Sequence, residues 1–184
     1  MIVVSVMVHP DDEPKIQLNL PEYCEVVINK RRGYANAVIE SIHHAHAMKS
    51  GLVVCDGDGY HSSMTIKDVC EWTSALPHKS MIVKPYRLNI GFQSQIFSWL
   101  FNERFSIPIK DVTGGLYGLS EAAVRSMSLF DIVSEDFTIN VEIILRLFNS
   151  TVCGILQFPY MAGKNNLNSH RPSFYQLKLL WKLF

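Results

Sequence analysis

Leu52-Val53-Val54-Cys55-Asp56-Gly57-Asp58-Gly59-Tyr60-His61 is an apolar tetrad that stops at two carboxylates separated by one glycine. An apolar run ending in charge reads as a buried strand whose C-terminal end opens into a cleft. In an open α/β sheet, ligands bind at that edge. Aspartates at i and i+2 on an extended backbone point the same way, and Gly57 between them would let the backbone bend so that both approach one ion. The ion that suits two carboxylates is a hard divalent cation, Mg²⁺ or Mn²⁺, which keeps open positions for substrate phosphates. Asp and Gly also favour plain turns. Taken alone, the stretch leaves a turn and a metal site both open.

Working outward, 184 residues with 48% hydrophobic content suffice for one well-buried domain. Lysine plus arginine and aspartate plus glutamate are equal at 17 each, so no global basic field points to nucleic acid and no acidic excess points to disorder. Cys24, Cys55, Cys70 and Cys153 form no CxxC pair, and two of them lie in apolar runs, which reads as reduced thiols in a cytoplasmic protein. The N-terminal apolar run has no basic stretch before it and no small-residue cleavage site after it, so it reads as a first strand. No segment approaches the roughly 18 apolar residues of a membrane span.

That first strand, residues 2–8, is rich in β-branched residues and stops at His9-Pro10-Asp11-Asp12-Glu13. A second short strand covers residues 24–28, and the residues between, 14–23, are few for a crossover helix. Asn29-Lys30-Arg31-Arg32-Gly33 is a basic loop leading into a helix over residues 34–49, with Val38, Ile42, Ala45 and Met48 at helical spacing. A basic run before a glycine at a helix start suits a phosphate held by backbone N–H groups, and equally suits solvated surface. His43, His44 and His46 read as a solvated face rather than a metal shell, although His43 and His46 share a side of the helix.

Beyond the Asp-Gly-Asp strand, the pattern predicts a helix over residues 65–74, a strand over 80–84 and a loop with Tyr86 and Arg87. Residues 92–105 are apolar on most sides and read as a buried helix, or as part of an acceptor groove. Ile109-Lys110-Asp111-Val112-Thr113-Gly114-Gly115-Leu116-Tyr117 places two glycines at a strand entrance, where a backbone can pass close to a ligand. Ser120 caps a short helix ending near Met127. Ser134-Glu135-Asp136 precedes a helix over residues 138–149, and a strand over 152–158 follows. From Pro172 the chain reads as an amphipathic helix, with Leu177, Leu180, Trp181 and Phe184 set against Lys178 and Lys182, suited to covering the core or lying on a membrane surface. The alternation of strands and helices predicts an α/β layer fold with a mostly parallel sheet and helices on both faces.

Four blocks in order resemble the family 2 glycosyltransferases of GT-A fold, most closely their dolichol-phosphate mannosyltransferase-like branch. They are VSVMVHPDDE, NKRRGYANAVIESI, VVCDGDGYH, which matches a strand plus DxD motif, and IKDVTGGLYGLSEAAV. The resemblance implies one Rossmann-like domain over residues 1–171 with a C-terminal amphipathic helix over 172–184. It implies an inverting, metal-dependent transferase, with a UDP- or GDP-sugar as donor and a glycan hydroxyl or a lipid phosphate as acceptor. Asp56 and Asp58 would bind the cation and the diphosphate, while Pro10, Glu13, Arg31 and Gly33 would line the nucleotide pocket. Arg87, Gly114 and Gly115 would lie near donor sugar and acceptor, with Lys164 and Arg171 as late basic contacts to phosphates. Asp136 or Glu135 would take the proton of a hydroxyl acceptor. The chain departs from the branch in lacking an acidic strand before the basic loop, and in carrying Tyr60 where the branch has a glutamine.

Two other readings compete. His9-Pro10-Asp11-Asp12-Glu13 looks like the signature of zinc-dependent sugar N-deacetylases, with His9 and Asp12 on zinc and Asp11 as base. The shortened N-terminal half also suits a non-catalytic, nucleotide-sugar-binding protein.

Overall fold

The computed structural model describes residues 1–30, 32–127, 132, 134–136, 138–150 and 153–163. The elements run β1 (Ile2–Met7), β2 (Cys24–Asn29), α1 (Tyr34–Ala47), β3 (Gly51–Asp56), α2 (Ser63–Ala75), β4 (Met81–Val83) and β5 (Tyr86–Arg87). They continue with α3 (Phe92–Phe105), β6 (Tyr117–Leu119), α4 (Glu121–Ser126), α5 (Ile139–Ser150), β7 (Gly154–Leu156) and β8 (Pro159–Tyr160). Six strands form one sheet in the order β2-β1-β3-β6-β4-β7, and β5 pairs with β8 beside it.

The sheet carries apolar side chains on both faces, which is why β1 and β3 are near-continuous hydrophobic runs rather than alternating ones. Val3, Met7, Leu52, Val54, Ile82, Tyr117 and Leu119 face a core built with α1, α3, α4 and α5. Ile2, Val4, Val6, Val53, Cys55 and Val83 face the opposite way, onto Ile66, Val69 and Cys70 of α2. The α/β layer fold with helices on both faces is therefore as the sequence predicts. One strand qualifies the parallel sheet. β1 runs parallel to β2 and β3, and β4 parallel to β7, but β6 is antiparallel to both β3 and β4. A reversed strand begins where its parallel neighbours end, so the residues before β6 arrive at the C-terminal edge of β3.

The connection from β1 to β2 contains no helix. Ile16, Leu18 and Leu20, at a spacing of two, pack on the α2-side core as an extended strap. Lys15 N–H donates to the Gly57 carbonyl at 2.8 Å, which ties the strap to the turn after β3. The four cysteines are free thiols. Ser120 caps α4 as expected, accepting from Ala123 N–H at 3.2 Å.

α3 departs from the expectation of a buried helix. Phe97, Ser98 and Phe101 are buried, whereas Phe92 is 75% exposed and Trp99 59% exposed. A helix that is apolar on most sides but packs along one side leaves the rest in solvent. Among the described residues no helix is long and apolar enough to cross a membrane. The C-terminal segment read as an amphipathic helix, residues 172–184, lies outside the described residues.

The two phenylalanines give a direct test of this packing. Phe101→Ala should destabilise the domain by about 3–5 kcal/mol, and Phe92→Ala should stay within about 0.5 kcal/mol, both measured by urea unfolding.

Candidate active site

The β3–β6 register pairs Leu52 with Leu119, Val53 with Gly118 and Val54 with Tyr117. Continued two residues along each chain, it sets Asp56 opposite Gly115. The contact is close: a Cβ on Gly115 would run into the Asp56 carboxylate. Glycine lets the acid keep this position, since any side chain at 115 would have to displace the Asp56 carboxylate. Gly57 serves differently from the expected bend. Its φ is not positive, its N–H donates to the Met7 carbonyl at 2.8 Å, and a Cβ would lie 2.6 Å from Val8 Cγ2. Close packing on β1 requires glycine at 57, and the bend falls at Gly59, with φ of 81°. Asp58 then accepts from Tyr60 N–H at 2.9 Å, closing the turn.

A cleft of about 480 Å³ opens at the C-terminal ends of β1 and β3 and the start of α1. Its lining includes Pro10, Asn29, Arg32, Gly33, Tyr34 and Asp56. Pro10, Gly33 and Asp56 were expected there. Arg32 was not singled out, and its neighbour Arg31 lies outside the described residues. Gly33 takes φ of 87° at the start of α1, with no side chain capping the helix. An uncapped helix start leaves backbone N–H groups for an anion. Glu13 is outside the lining and forms an exposed ion pair with Lys30 at 2.5 Å.

Behind the Gly-Gly turn lies a buried charge network that the sequence reading missed. Arg87 grips Asp111 with two hydrogen bonds, Nε to Oδ2 at 2.6 Å and Nη2 to Oδ1 at 2.9 Å. It also donates to Thr113 Oγ1 at 2.8 Å. Asp111 Oδ1 in turn accepts from Gly114 N–H at 3.1 Å. Lys84, fully buried at the end of β4, donates to the Gly114 and Leu116 carbonyls. Burial lowers the Lys84 ammonium to about 8, against the opposing pull of Asp111. Burial raises the Asp111 carboxyl, but Arg87 and then Lys84 outweigh it and hold it below the ordinary carboxylate range. Arg87, expected near donor sugar and acceptor, has its guanidinium hydrogen-bonded to Asp111 and Thr113, beside the Gly114-Gly115 turn. The signal for this network was a lysine closing the apolar run Met81-Ile82-Val83 and an aspartate three residues before the first glycine.

His61 is the second residue missed. Its Nδ1 lies 3.1 Å from the Tyr160 hydroxyl, and its Nε2 lies 3.6 Å from Asp56 Oδ2. That nitrogen is buried without a hydrogen-bond partner, as is the Tyr117 hydroxyl. Burial first, and then the Asp56 charge, pushes the Tyr117 phenol far up. Among the described residues no three His, Cys, Asp or Glu side chains converge as a metal cage. The donors that do meet are one carboxylate and one orphaned imidazole nitrogen. They fit a divalent cation that retains water and takes its remaining ligands from phosphates.

Of the other candidates, Glu135 is exposed and Asp136 Oδ1 accepts from Thr138 N–H at 2.9 Å at the start of α5. Buried Glu142 accepts from Ser134 N–H at 2.9 Å and from Arg146, so it anchors this acidic segment. His9 and Asp11 are 67% and 83% exposed, and among the described residues no three His, Cys, Asp or Glu side chains converge there as a metal cage. His43 and His46 are exposed and His44 pairs with Glu25 at 3.4 Å, in keeping with a solvated face. Lys164 and Arg171 lie outside the described residues.

No protein-family model matches the chain, and no curated protein matches it in sequence. Solved structures do match its fold. Glucosyl-3-phosphoglycerate synthase from Mycobacterium tuberculosis, in complex with phosphoglyceric acid, aligns with TM-score 0.61 and 12% identity over 97% of this chain and 74% of that one. The same enzyme with Mn²⁺, UDP and phosphoglyceric acid aligns with TM-score 0.60 and 12% identity over 98% and 73%. With Mn²⁺, UDP-glucose and phosphoglyceric acid the values are 0.57 and 12% over 97% and 74%. At this identity the likeness establishes the fold, that of GT-A-type glycosyltransferases.

The Lys84 environment predicts a pH dependence. Between about pH 8 and its ordinary value of 10.5 the unfolded chain keeps the Lys84 proton while the folded chain releases it. The Lys84 contribution to stability therefore rises with pH across this window, by up to about 1.4 kcal/mol per pH unit. Urea unfolding of wild type and Lys84→Met at successive pH values should show their difference changing by that slope above pH 8 and flat below it.

Proposed function

We propose that the chain is an inverting, metal-dependent glycosyltransferase that moves a sugar from a nucleotide-sugar donor to an acceptor. The observation that carries this reading is Asp56 at the floor of a cleft at the strand ends, with Gly115 pressed against its carboxylate. The likeness of the fold to a synthase solved with Mn²⁺, UDP and UDP-glucose supports it.

In this reading the nucleotide occupies the cleft between Pro10 and Tyr34, with its diphosphate toward Asp56, Asp58 and the start of α1. A divalent cation there supplies Lewis-acid neutralisation of the charge that builds on the leaving diphosphate. Arg32 and the uncapped N–H groups after Gly33 draw the phosphates to the same edge. Lys164 and Arg171 remain our candidates for further phosphate contacts. The Gly114-Gly115 turn, held by Arg87 and Lys84, presents bare backbone where the donor sugar must pass. An acceptor attacking the anomeric carbon from the face opposite the diphosphate inverts it.

For a hydroxyl acceptor, Asp136 takes the proton. Its Oδ1 accepts from Thr138 N–H just before α5, and its other oxygen is the one for this role. A lipid-phosphate acceptor, as in the dolichol-phosphate mannosyltransferase-like branch, is already anionic and would leave Asp136 a structural residue of that turn. The hydroxyl reading draws support from the matched synthase, solved with phosphoglyceric acid or with glycerol 3-phosphate.

Titration calorimetry with UDP- and GDP-sugars in the presence of Mn²⁺ should show binding of one donor class. Asp56→Asn should weaken it at least about tenfold. Absence of binding to both classes would sink the proposal, and metal-dependent release or transfer of the sugar would separate a catalyst from a donor-binding protein.

A further inference from the structure

We propose that His61 supplies a nitrogen donor to the divalent cation, so that Asp56 and His61 together form its protein seat, and that the Tyr160 hydroxyl fixes the imidazole tautomer this requires. The proposal deepens the glycosyltransferase reading and rests on it for the role of the ion.

Three observations meet at one atom. His61 is 2% exposed, so its polar atoms must find partners inside the protein. Nδ1 has one, the Tyr160 hydroxyl at 3.1 Å. Nε2 has none, although it lies 3.6 Å from Asp56 Oδ2. An N–H at that nitrogen would close on the carboxylate to about 2.7–2.9 Å as a charge-assisted hydrogen bond. Two donors of one ion, each about 2.1 Å from it, stand about 3.0–3.5 Å apart between octahedral and tetrahedral angles. The observed 3.6 Å is close to the upper end of that range and beyond hydrogen-bond reach, though within that of an ion pair should the imidazole be protonated.

Tyr160 decides which nitrogen is free to ligate. When the hydroxyl oxygen accepts from Nδ1–H, the lone pair is left on Nε2, facing Asp56. Tyr160 closes β8, and Tyr86 and Arg87 of β5 pair with it in parallel register. The small β5–β8 sheet thus acts as an outer support that aims the imidazole. Asp58, whose carboxylate closes the turn onto Tyr60 N–H, sits beside this pair in sequence while His61 reaches it in space.

An imidazole donor also sets metal preference. Mg²⁺ favours oxygen ligands and keeps its water, whereas later divalent ions accept nitrogen more readily. Replacing His61 should therefore cost Mn²⁺ more than Mg²⁺, which a merely structural role would not do.

The test is pulsed electron paramagnetic resonance on the full chain loaded with Mn²⁺ alone, with metal affinities measured in parallel. Wild type should show nitrogen modulation from a coordinated imidazole. His61→Phe should abolish that modulation, weaken Mn²⁺ at least about tenfold, and lower the preference for Mn²⁺ over Mg²⁺. His61→Gln keeps a polar head of similar reach, and should lose the nitrogen signal while retaining the wild-type melting behaviour. Tyr160→Phe should weaken Mn²⁺ by about 10–100-fold. Mn²⁺ bound without a nitrogen signal, or a signal that survives in both His61 variants, overturns the assignment and leaves the transferase reading standing. A nitrogen signal that depends on His61 supports the assignment, and if no nucleotide-sugar then binds, it is the transferase reading that fails.

Discussion

Everything at the candidate site depends on the contact between the Asp56 carboxylate and the backbone of Gly115. It follows from strand direction. β3 ends at Asp56, and β6, running the other way beside it, must begin at the same edge. The loop before β6 is thereby delivered onto the acid, and only a residue without a side chain lets it arrive. A sheet of parallel strands alone would have placed the start of β6 at the opposite edge, far from Asp56.

A bare backbone turn is soft, and here it is held from within. Asp111 accepts from Gly114 N–H, Lys84 donates to the Gly114 and Leu116 carbonyls, and Arg87 clamps Asp111 and Thr113 together. Buried Lys84 and partly buried Arg87 next to one buried carboxylate leave an excess of positive charge, which the nearby Asp56 carboxylate opposes. Such an arrangement is expensive to desolvate and is tolerated only when every member is paired. Its return is a rigid turn held beside Asp56 at the floor of the cleft.

Several residues carry meanings that differ from their appearance in the sequence. Gly57 looks like the hinge of the Asp-Gly-Asp motif, yet it is needed for packing against Val8, and Gly59 makes the bend. Arg87 looks like a free cation for the donor, and its guanidinium also braces the turn through Asp111 and Thr113. Asp58 looks like the partner of Asp56, while the side chain that faces Asp56 inside the protein is His61. Phe92 and Trp99 look like core and stand in solvent, because apolarity on all sides of α3 does not say which side is covered. In each case the sequence shows the residue type and hides which neighbour it meets, whether that neighbour comes from a distant segment, as Asp111 does for Arg87, or from the same loop, as His61 does for Asp56.

The sequence by itself determined the layers. The β-branched runs of β1 and β3, the helical spacing of α1 and α5, the Ser120 cap and the short link between β1 and β2 follow from local propensity and periodicity, which act over a few residues. It also determined that an acid would stand at a strand end, because an apolar run has to stop where the sheet meets water. Only the tertiary structure decided that β6 runs backward, that Gly115 meets Asp56, that Lys84 and Asp111 brace the turn, and that His61 rather than a nearer residue faces the acid. Most of these pairings join separate segments of the chain, and the imidazole that faces Asp56 is itself held by Tyr160, 99 residues further on. Strand order and direction set them, and neither is written in any one stretch of the chain.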